Sequence, residues 1–167
     1  MDPAMKKTAL RMIPYGLFVL TAENADGQVA AATVNWVTQA SFEPPLVVVG
    51  VKKDSAAYSV VSASKAFALN VLGKGQQALA FTFFKSLSRE GNTIGGEAFR
   101  SGKTGTPVLE NTPAFFECKL VDAIHRGDHA IMVGEVVDAG VAKQPDGRPD
   151  DAALWLKDLG EKVFYGG

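Results

Sequence analysis

Ala30-Ala31-Ala32-Thr33-Val34-Asn35-Trp36-Val37-Thr38-Gln39-Ala40-Ser41-Phe42-Glu43-Pro44-Pro45 leads without a break into Leu46-Val47-Val48-Val49-Gly50-Val51. The Thr, Val and Trp content of the first part is that of an extended segment, because branched and aromatic side chains pack well on a pleated surface. Thr33, Asn35, Thr38, Gln39 and Ser41 nevertheless supply more hydrogen-bonding groups than a plain core strand needs. The pattern predicts a strand that faces the core on one side and a polar ligand on the other. Pro44 and Pro45 have no amide hydrogen to give to a ladder and interrupt the pairing. The apolar run after them predicts a buried strand, Leu46 to Lys52.

Working outward, Tyr15 to Ala22 reads as an apolar strand, and Asn24-Ala25-Asp26-Gly27 as a hairpin turn with Gly27 taking positive φ. Gln28 to Phe42 is then the returning strand, long enough to bend or to carry a bulge. Met5 to Ile13 predicts a short helix that stops before Pro14. Asp54 or Ser55 caps a helix running through Ser62. Phe67 to Leu72 returns as a strand, and Gln76 to Phe84 forms a second short helix. Two long strands, Ala114 to His125 and His129 to Val141, are joined by Arg126-Gly127-Asp128. Between Lys85 and Thr112 no period is sustained, and Gly91, Gly95, Gly96, Gly102 and Gly105 crowd the segment. It reads as a long functional connection, a lid spanning Gly91 to Gly105. Strands outnumber helices in an order suited to antiparallel pairing. The expected fold is therefore mainly β, a β-barrel with short helices, in a single domain over residues 1–167.

The 167 residues are 47% hydrophobic and 21% charged, with a formal net charge of -1, ordinary values for a globular chain. No cluster of Lys and Arg offers a surface to nucleic acid or to an anionic membrane. No stretch approaches the roughly 20 apolar residues of a membrane span, and no signal-peptide core precedes Pro14, so a cytoplasmic location is expected. The lone Cys118, in an apolar run, reads as a buried and inert thiol rather than a nucleophile.

Several reaction classes lack their residues. Gly102-Lys103-Thr104 fails the phosphate-loop pattern because Glu97 stands where a glycine is needed. No G-x-G-x-x-G follows a strand and no G-x-S-x-G elbow exists. His125 and His129 have no companion ligands at a metal-binding spacing; they are hairpin surface residues, or His129 touches a ligand. Lys52-Lys53-Asp54-Ser55 lies where a strand meets a helix N-terminus. That corner suits one phosphate group, or it is a solvated strand end with an ordinary serine cap.

Four stretches together resemble the flavin reductase-like family, the FMN-binding split barrels. They are Thr33-Val34-Asn35-Trp36 with Ser41-Phe42-Glu43-Pro44-Pro45; Lys53-Asp54-Ser55; Phe67-Ala68-Leu69-Asn70-Val71-Leu72; and Gly127-Asp128-His129 with Gly134-Glu135-Val136. The resemblance runs over residues 8–142 and extends to flavoredoxin-type proteins and the reductase domain of cyanobacterial diflavin proteins. It implies that Thr33, Val34, Asn35 and Trp36 line the flavin ring and ribityl chain, and that Ser41 falls on the family's serine before the proline pair. It implies further that Val51, Lys52, Lys53 and Ser55 surround the phosphate, that Asn70 lies under the ring, and that His129 stands near the nicotinamide. Ala57 departs from the pattern, since many members carry a threonine hydroxyl there, which leaves FMN against FAD open. Beyond Lys143 the match is poor and no residue is assigned.

The implied activity is that of an NAD(P)H:flavin oxidoreductase, with NADH or NADPH as donor and a partner oxygenase, a redox protein or oxygen as acceptor. No protein side chain acts as a catalytic nucleophile and no metal is required, because the flavin carries the chemistry. A homodimer is implied as well. Two alternatives stay open: a non-enzymatic FMN electron-transfer protein, and a split barrel that has lost its flavin. The flavin readings share one geometric requirement, that Asn35, Ser41 and Lys53 face a common cavity.

Overall fold

A computed structural model describes residues 1–167. Along the chain, helix α1 (Pro3–Arg11) precedes strands β1 (Phe18–Glu23), β2 (Val29–Val34), β3 (Val37–Ser41) and β4 (Leu46–Lys52). Helix α2 (Ala56–Ser64) leads to β5 (Ala66–Val71) and helix α3 (Gln77–Thr82). Four short strands follow, β6 (Arg89–Glu90), β7 (Thr93–Ile94), β8 (Glu97–Ser101) and β9 (Pro107–Leu109), and then the long hairpin β10 (Ala114–Ile124) and β11 (His129–Val141).

Seven strands form one antiparallel sheet in the order β2-β1-β5-β10-β11-β4-β3. β2 and β3 adjoin in sequence yet occupy opposite edges of this sheet. Only Asn35 and Trp36 separate them, and three Cα–Cα steps reach at most about 11 Å. The two edges must therefore approach each other, and the sheet curls into a half-barrel whose open seam lies at Asn35–Trp36. The expectation of one strand from Gln28 to Phe42 is corrected here. β2 pairs with β1 as far as Val34, and the chain then crosses the seam to pair with β4.

The curl encloses α2, which buries Ala57, Val60 and Val61 against Leu20, Val49, Phe67 and Met132. Ser55 caps this helix as expected, its Oγ accepting the Tyr58 amide at 3.1 Å. A left-handed Lys65 (φ 58°) ends it. A second core, built from Leu17, Leu72, Phe83, Ile94, Phe99, Leu109 and Leu154, lies under α3 and the small strands.

The stretch without a period is an ordered four-stranded antiparallel sheet, β6-β7-β8-β9. Its strands are two to five residues long, too short to display alternation. Gly91, Gly95 and Gly105 take positive φ in the turns between them. Ile94, Phe99, Val108 and Leu109 anchor the unit in the core, so the expected lid over Gly91 to Gly105 is not what this segment forms. Gly102-Lys103-Thr104 does cradle an anion, but an internal one. The buried Glu117 carboxylate accepts the amides of Lys103 and Thr104, each at 2.9 Å, and the Thr104 hydroxyl at 2.6 Å.

Helix α1 starts and ends two residues earlier than expected. The Asp2 carboxylate accepts the Met5 amide at 2.8 Å, and Pro3 sits at the first helical position, where its missing amide costs nothing. No residue of α1 is buried. Cys118 is buried as expected, and burial, with the Glu117 charge second, pushes its thiol up to about 12. No helix is long and apolar enough to cross a membrane.

Candidate functional site

A cleft of about 360 Å³ opens along the seam. Residues from both sides of the split line it: Thr33, Val34 and Asn35 from the end of β2, Val51 and Lys52 from the end of β4, Ser55 and Ala57 from α2, and His129 from the start of β11. Phe83, Phe84, Leu17 and Leu156 close the floor, and Val163, Phe164 and Tyr165 form the outer wall. Seven of the residues expected from sequence thus meet in one place, namely Thr33, Val34, Asn35, Val51, Lys52, Ser55 and His129.

The other four do not line it. Trp36 lies beside the cleft, its ring centroid 4.6 Å from that of His129 and 5.2 Å from that of Tyr165. A Cβ at Gly50 would lie 3.0 Å from the indole, so glycine is what lets Trp36 pack this closely on β4. Ser41 ends the edge strand β3, outside the cleft. The Lys53 ammonium donates to the His125 carbonyl at 3.2 Å and its amide to the Asp128 carbonyl at 3.0 Å, so Lys53 ties β4 to the β10–β11 turn. Asn70 is fully buried, with Nδ2 donating to the Val19 carbonyl and Thr21 Oγ1 and Oδ1 accepting the Leu109 amide. Asn35, Ser41 and Lys53 therefore do not share a cavity; only Asn35 reaches it, so the requirement set from sequence is not met as stated, and the residues that join Asn35 in the cleft are the neighbouring Lys52 and Ser55. The sequence could not show this, because strand register decides which side of the sheet each residue faces.

At one end of the cleft, Lys52 and the first turn of α2 form a cationic corner. By helix geometry the amides of Ala56 and Ala57 have no partner inside the helix, and Ala57 and Ser55 both line the cleft. Ser55 donates its hydroxyl to the Lys52 carbonyl at 2.6 Å, which fixes the strand-to-helix corner. Beside this corner, at the start of β11, His129 lies directly opposite Lys52 in the strand register and is held from both sides. Its Nδ1 lies 2.8 Å from Asp128 Oδ1 and its Nε2 lies 2.7 Å from the Tyr165 hydroxyl. The hydrogen bond from His129 holds the Asp128 carboxyl below its ordinary range. Burial raises the Tyr165 phenol, with the Lys52 charge opposing that shift. An ionised Asp128 only accepts, so Nδ1 carries a proton and, in the neutral ring, Nε2 accepts from the Tyr165 hydroxyl.

Away from this corner the lining is largely apolar, with Thr33 and Asn35 on the inner edge. Thr33 spends its hydroxyl hydrogen on the Ala80 carbonyl at 2.7 Å, and Asn35 Nδ2 donates to the Tyr165 carbonyl at 3.2 Å. An apolar slot with amide and hydroxyl groups on its rim and a cation beside free helix amides fits a phosphorylated planar ring. The sequence reading missed the aromatic floor, Phe83 and Phe84, and the tail wall, Phe164 and Tyr165. Adjacent aromatic pairs at the ends of weak elements are their only signal.

A family profile described as flavin reductase like domain matches residues 10–158. The chain is 32% identical over 135 residues to the stachydrine N-demethylase reductase subunit of Rhizobium meliloti, covering 81% of this chain and 57% of that protein. It is 33% identical over 144 residues to a diflavin flavoprotein of Synechocystis, covering 86% of this chain and 25% of that protein. Among solved structures, the styrene monooxygenase flavin reductase of Pseudomonas putida superposes with a TM-score of 0.69 at 28% identity, covering 84% of this chain and 88% of that one. The chain thus spans little more than half of one curated relative and a quarter of the other. The half-barrel with its seam is the split barrel of these flavin reductases. With the profile spanning most of its length, the chain belongs to the flavin reductase like domain family.

Proposed function

We propose that this protein is an NAD(P)H:flavin oxidoreductase that uses FMN and delivers electrons to a partner oxygenase, a redox protein or oxygen. The observation that carries the reading is the seam cleft, cationic at the Lys52–Ser55 corner with His129 beside Lys52, and apolar along the rest of its length. Bound there, the flavin supplies hydride acceptance from a nicotinamide and onward electron transfer. Lys52 and the Ala56 and Ala57 amides would hold the phosphate, while Ser55, its hydroxyl donated to the Lys52 carbonyl, fixes the corner that presents them. Val34, Val51, Phe83 and Leu156 would exclude water from the ring, while Asn35 and Thr33 address its polar edge. His129, oriented by Asp128, would face the incoming donor.

The names of two relatives, a demethylase reductase subunit and a monooxygenase flavin reductase, support an oxygenase as acceptor. Half-exposed Ile124 and Ile131, cross-strand partners on the central strands β10 and β11, support a homodimer through that sheet face. A second reading, a carrier that keeps FMN bound and exchanges electrons with a protein, draws on the tail that closes the cleft. The test of both is the absorbance of NADH and NADPH with and without added FMN or FAD. Oxidation dependent on flavin is expected. A yellow protein reduced by neither nicotinamide would transfer the conclusion to the carrier, and a colourless one that binds no flavin would end both.

A further inference from the structure

One wall of the cleft belongs to no helix or strand. From Gly160 to Gly167 the chain forms no regular element, yet its end is clasped. Arg11 Nε donates to the Gly166 carbonyl at 3.2 Å, and the Arg11 guanidinium lies 4.3 Å from the Phe164 ring centroid. Asn35 holds the Tyr165 carbonyl, and the Tyr165 hydroxyl meets His129 Nε2. Phe164 and Tyr165 are nevertheless 51% and 46% exposed. Few contacts and shallow burial mark a segment that opens locally at little cost.

The same residues partition space. Val163, Phe164 and Tyr165 separate the cleft from a cavity of about 460 Å³ beside the end of α1 and Trp155. Gly166 and Gly167 line another of about 900 Å³ over Trp36 and Gly50. Gly166 also sits against Trp36 Nε1, a buried donor with no acceptor, which disfavours the closed arrangement. The 360 Å³ left beneath the tail lies at the low end of the range for one bound ligand. Hydride transfer needs two ring systems face to face in one site.

What fills the missing place is an aromatic ring with a carbonyl acceptor one bond network away. The Tyr165 ring stands beside Trp36 and His129 while its carbonyl takes the Asn35 amide. A nicotinamide presents the same combination, a planar ring carrying a carboxamide oxygen. We infer that Val163–Gly167 is a plug that occupies the nicotinamide position, with Arg11 as its clasp, and that the dinucleotide binds by displacing it. This rests on the flavin reductase reading and adds a competitive control built into the chain.

The test measures calorimetric binding of NAD⁺ and, separately, NADP⁺ to the FMN-saturated protein, in the full chain, in Arg11→Ala and in a chain ending at Lys162. FMN affinity is measured alongside by quenching of flavin fluorescence. The dinucleotide preferred by the full chain is expected to bind both variants three- to tenfold more tightly, with FMN affinity within twofold in Arg11→Ala, which leaves the wall residues in place. Equal or weaker dinucleotide binding in both variants overturns the plug, and so does a loss of FMN affinity in Arg11→Ala, which would make the clasped tail a part of the flavin site. If the shortened chain does not fold, Arg11→Ala decides alone. Absence of FMN quenching in the full chain and both variants sinks the flavin reading itself, a result distinct from bound FMN with unmoved dinucleotide affinity.

Discussion

The His129 imidazole bridges Asp128 and Tyr165, with Nδ1 2.8 Å from the carboxylate and Nε2 2.7 Å from the phenol. These partners lie on opposite sides of the ring and come from distant parts of the chain, so one side chain joins the β10–β11 turn to the C-terminal tail. The arrangement selects a tautomer. Asp128 accepts the Nδ1 proton, and Nε2 is left to face Tyr165 or whatever replaces it.

The Asp128 carboxyl is held below its ordinary value by that hydrogen bond. A carboxylate with a depressed folded-state pKa contributes its stabilisation above the unfolded value, near 3.9, and loses it as pH falls through the folded value. The pair is therefore expected to be intact at pH 5. ¹⁵N spectra of the His129 ring should show Nδ1 protonated in the neutral form and a shift toward the Nε2-protonated tautomer in Asp128→Ala. An unchanged tautomer in that variant would show that Asp128 does not orient the ring.

Lys52 tests the phosphate corner. Its ammonium pairs with Asp54 at 3.2 Å and its side chain is about half exposed, so solvent screens it. Its contribution to holding a phosphate is accordingly set near the exposed-pair value of about 1 kcal/mol, or roughly fivefold. Lys52→Ala is expected to weaken FMN binding by about that factor and to flatten its salt dependence, while riboflavin, which lacks the phosphate, is unaffected. Equal losses for FMN and riboflavin would move Lys52 away from the phosphate.

The seam illustrates what the sequence carries and what it hides. The alternation of Val, Thr and Asn around Thr33 to Asn35 announces a strand with two kinds of neighbour, and those residues do line the cleft. That the strand breaks at Asn35, with Val37 pairing at the opposite sheet edge, is a property of the whole sheet's closure; no local pattern encodes it. Ser55 was legible because a helix cap is a local device. Lys53 and Ser41 were misplaced because side-chain direction at strand ends depends on register. The small sheet was invisible because strands of two residues have no period, and its glycines mark turns as readily as mobility.

Asn70 separates a structural role from a ligand-contacting one. Fully buried, it satisfies the Val19 carbonyl, the Thr21 hydroxyl oxygen and the Leu109 amide, and so joins β5, β1 and β9. Asn70→Ala leaves the Leu109 amide without its acceptor and removes a donor from the Val19 carbonyl and from the Thr21 oxygen, which still donates to the Pro107 carbonyl, at about 1–3 kcal/mol for each buried group left unpaired. With partial relaxation the midpoint of thermal unfolding should drop by roughly 5–15 °C. FMN affinity of the protein that remains folded should stay within about twofold. A large loss of FMN affinity at unchanged stability would instead return Asn70 to the flavin.

Glu117 and its loop give a local stability test. The carboxylate is buried and its oxygens accept two amides and one hydroxyl from Lys103 and Thr104. Glu117→Ala removes the acceptor and leaves a void, an expected loss of about 3 kcal/mol. Amide exchange should accelerate most at residues 102–106. Gly102→Ala should act similarly, since a Cβ there would collide with the carboxylate. Exchange unchanged at those amides would show that the loop is held by something else.

Cys118 yields the last prediction, with its sign fixed by burial. Its thiol is pushed up to about 12, first by desolvation and then by the neighbouring Glu117 charge. An acid whose folded-state pKa is raised favours the fold fully below the unfolded pKa, about 8.5. That contribution is lost as pH rises from there through about 12. At pH 8 the native thiol should thus be protonated and screened, resisting an aromatic disulfide reagent for hours and reacting promptly once guanidinium unfolds the chain. In alkaline titration Cys118→Ala should lose stability less steeply between about pH 9 and 12 than the unaltered chain, although it starts lower because a cavity replaces the thiol. Rapid labelling of the native protein would place Cys118 at an opening in the sheet beside Phe67 and Gly134, where the structure packs it shut.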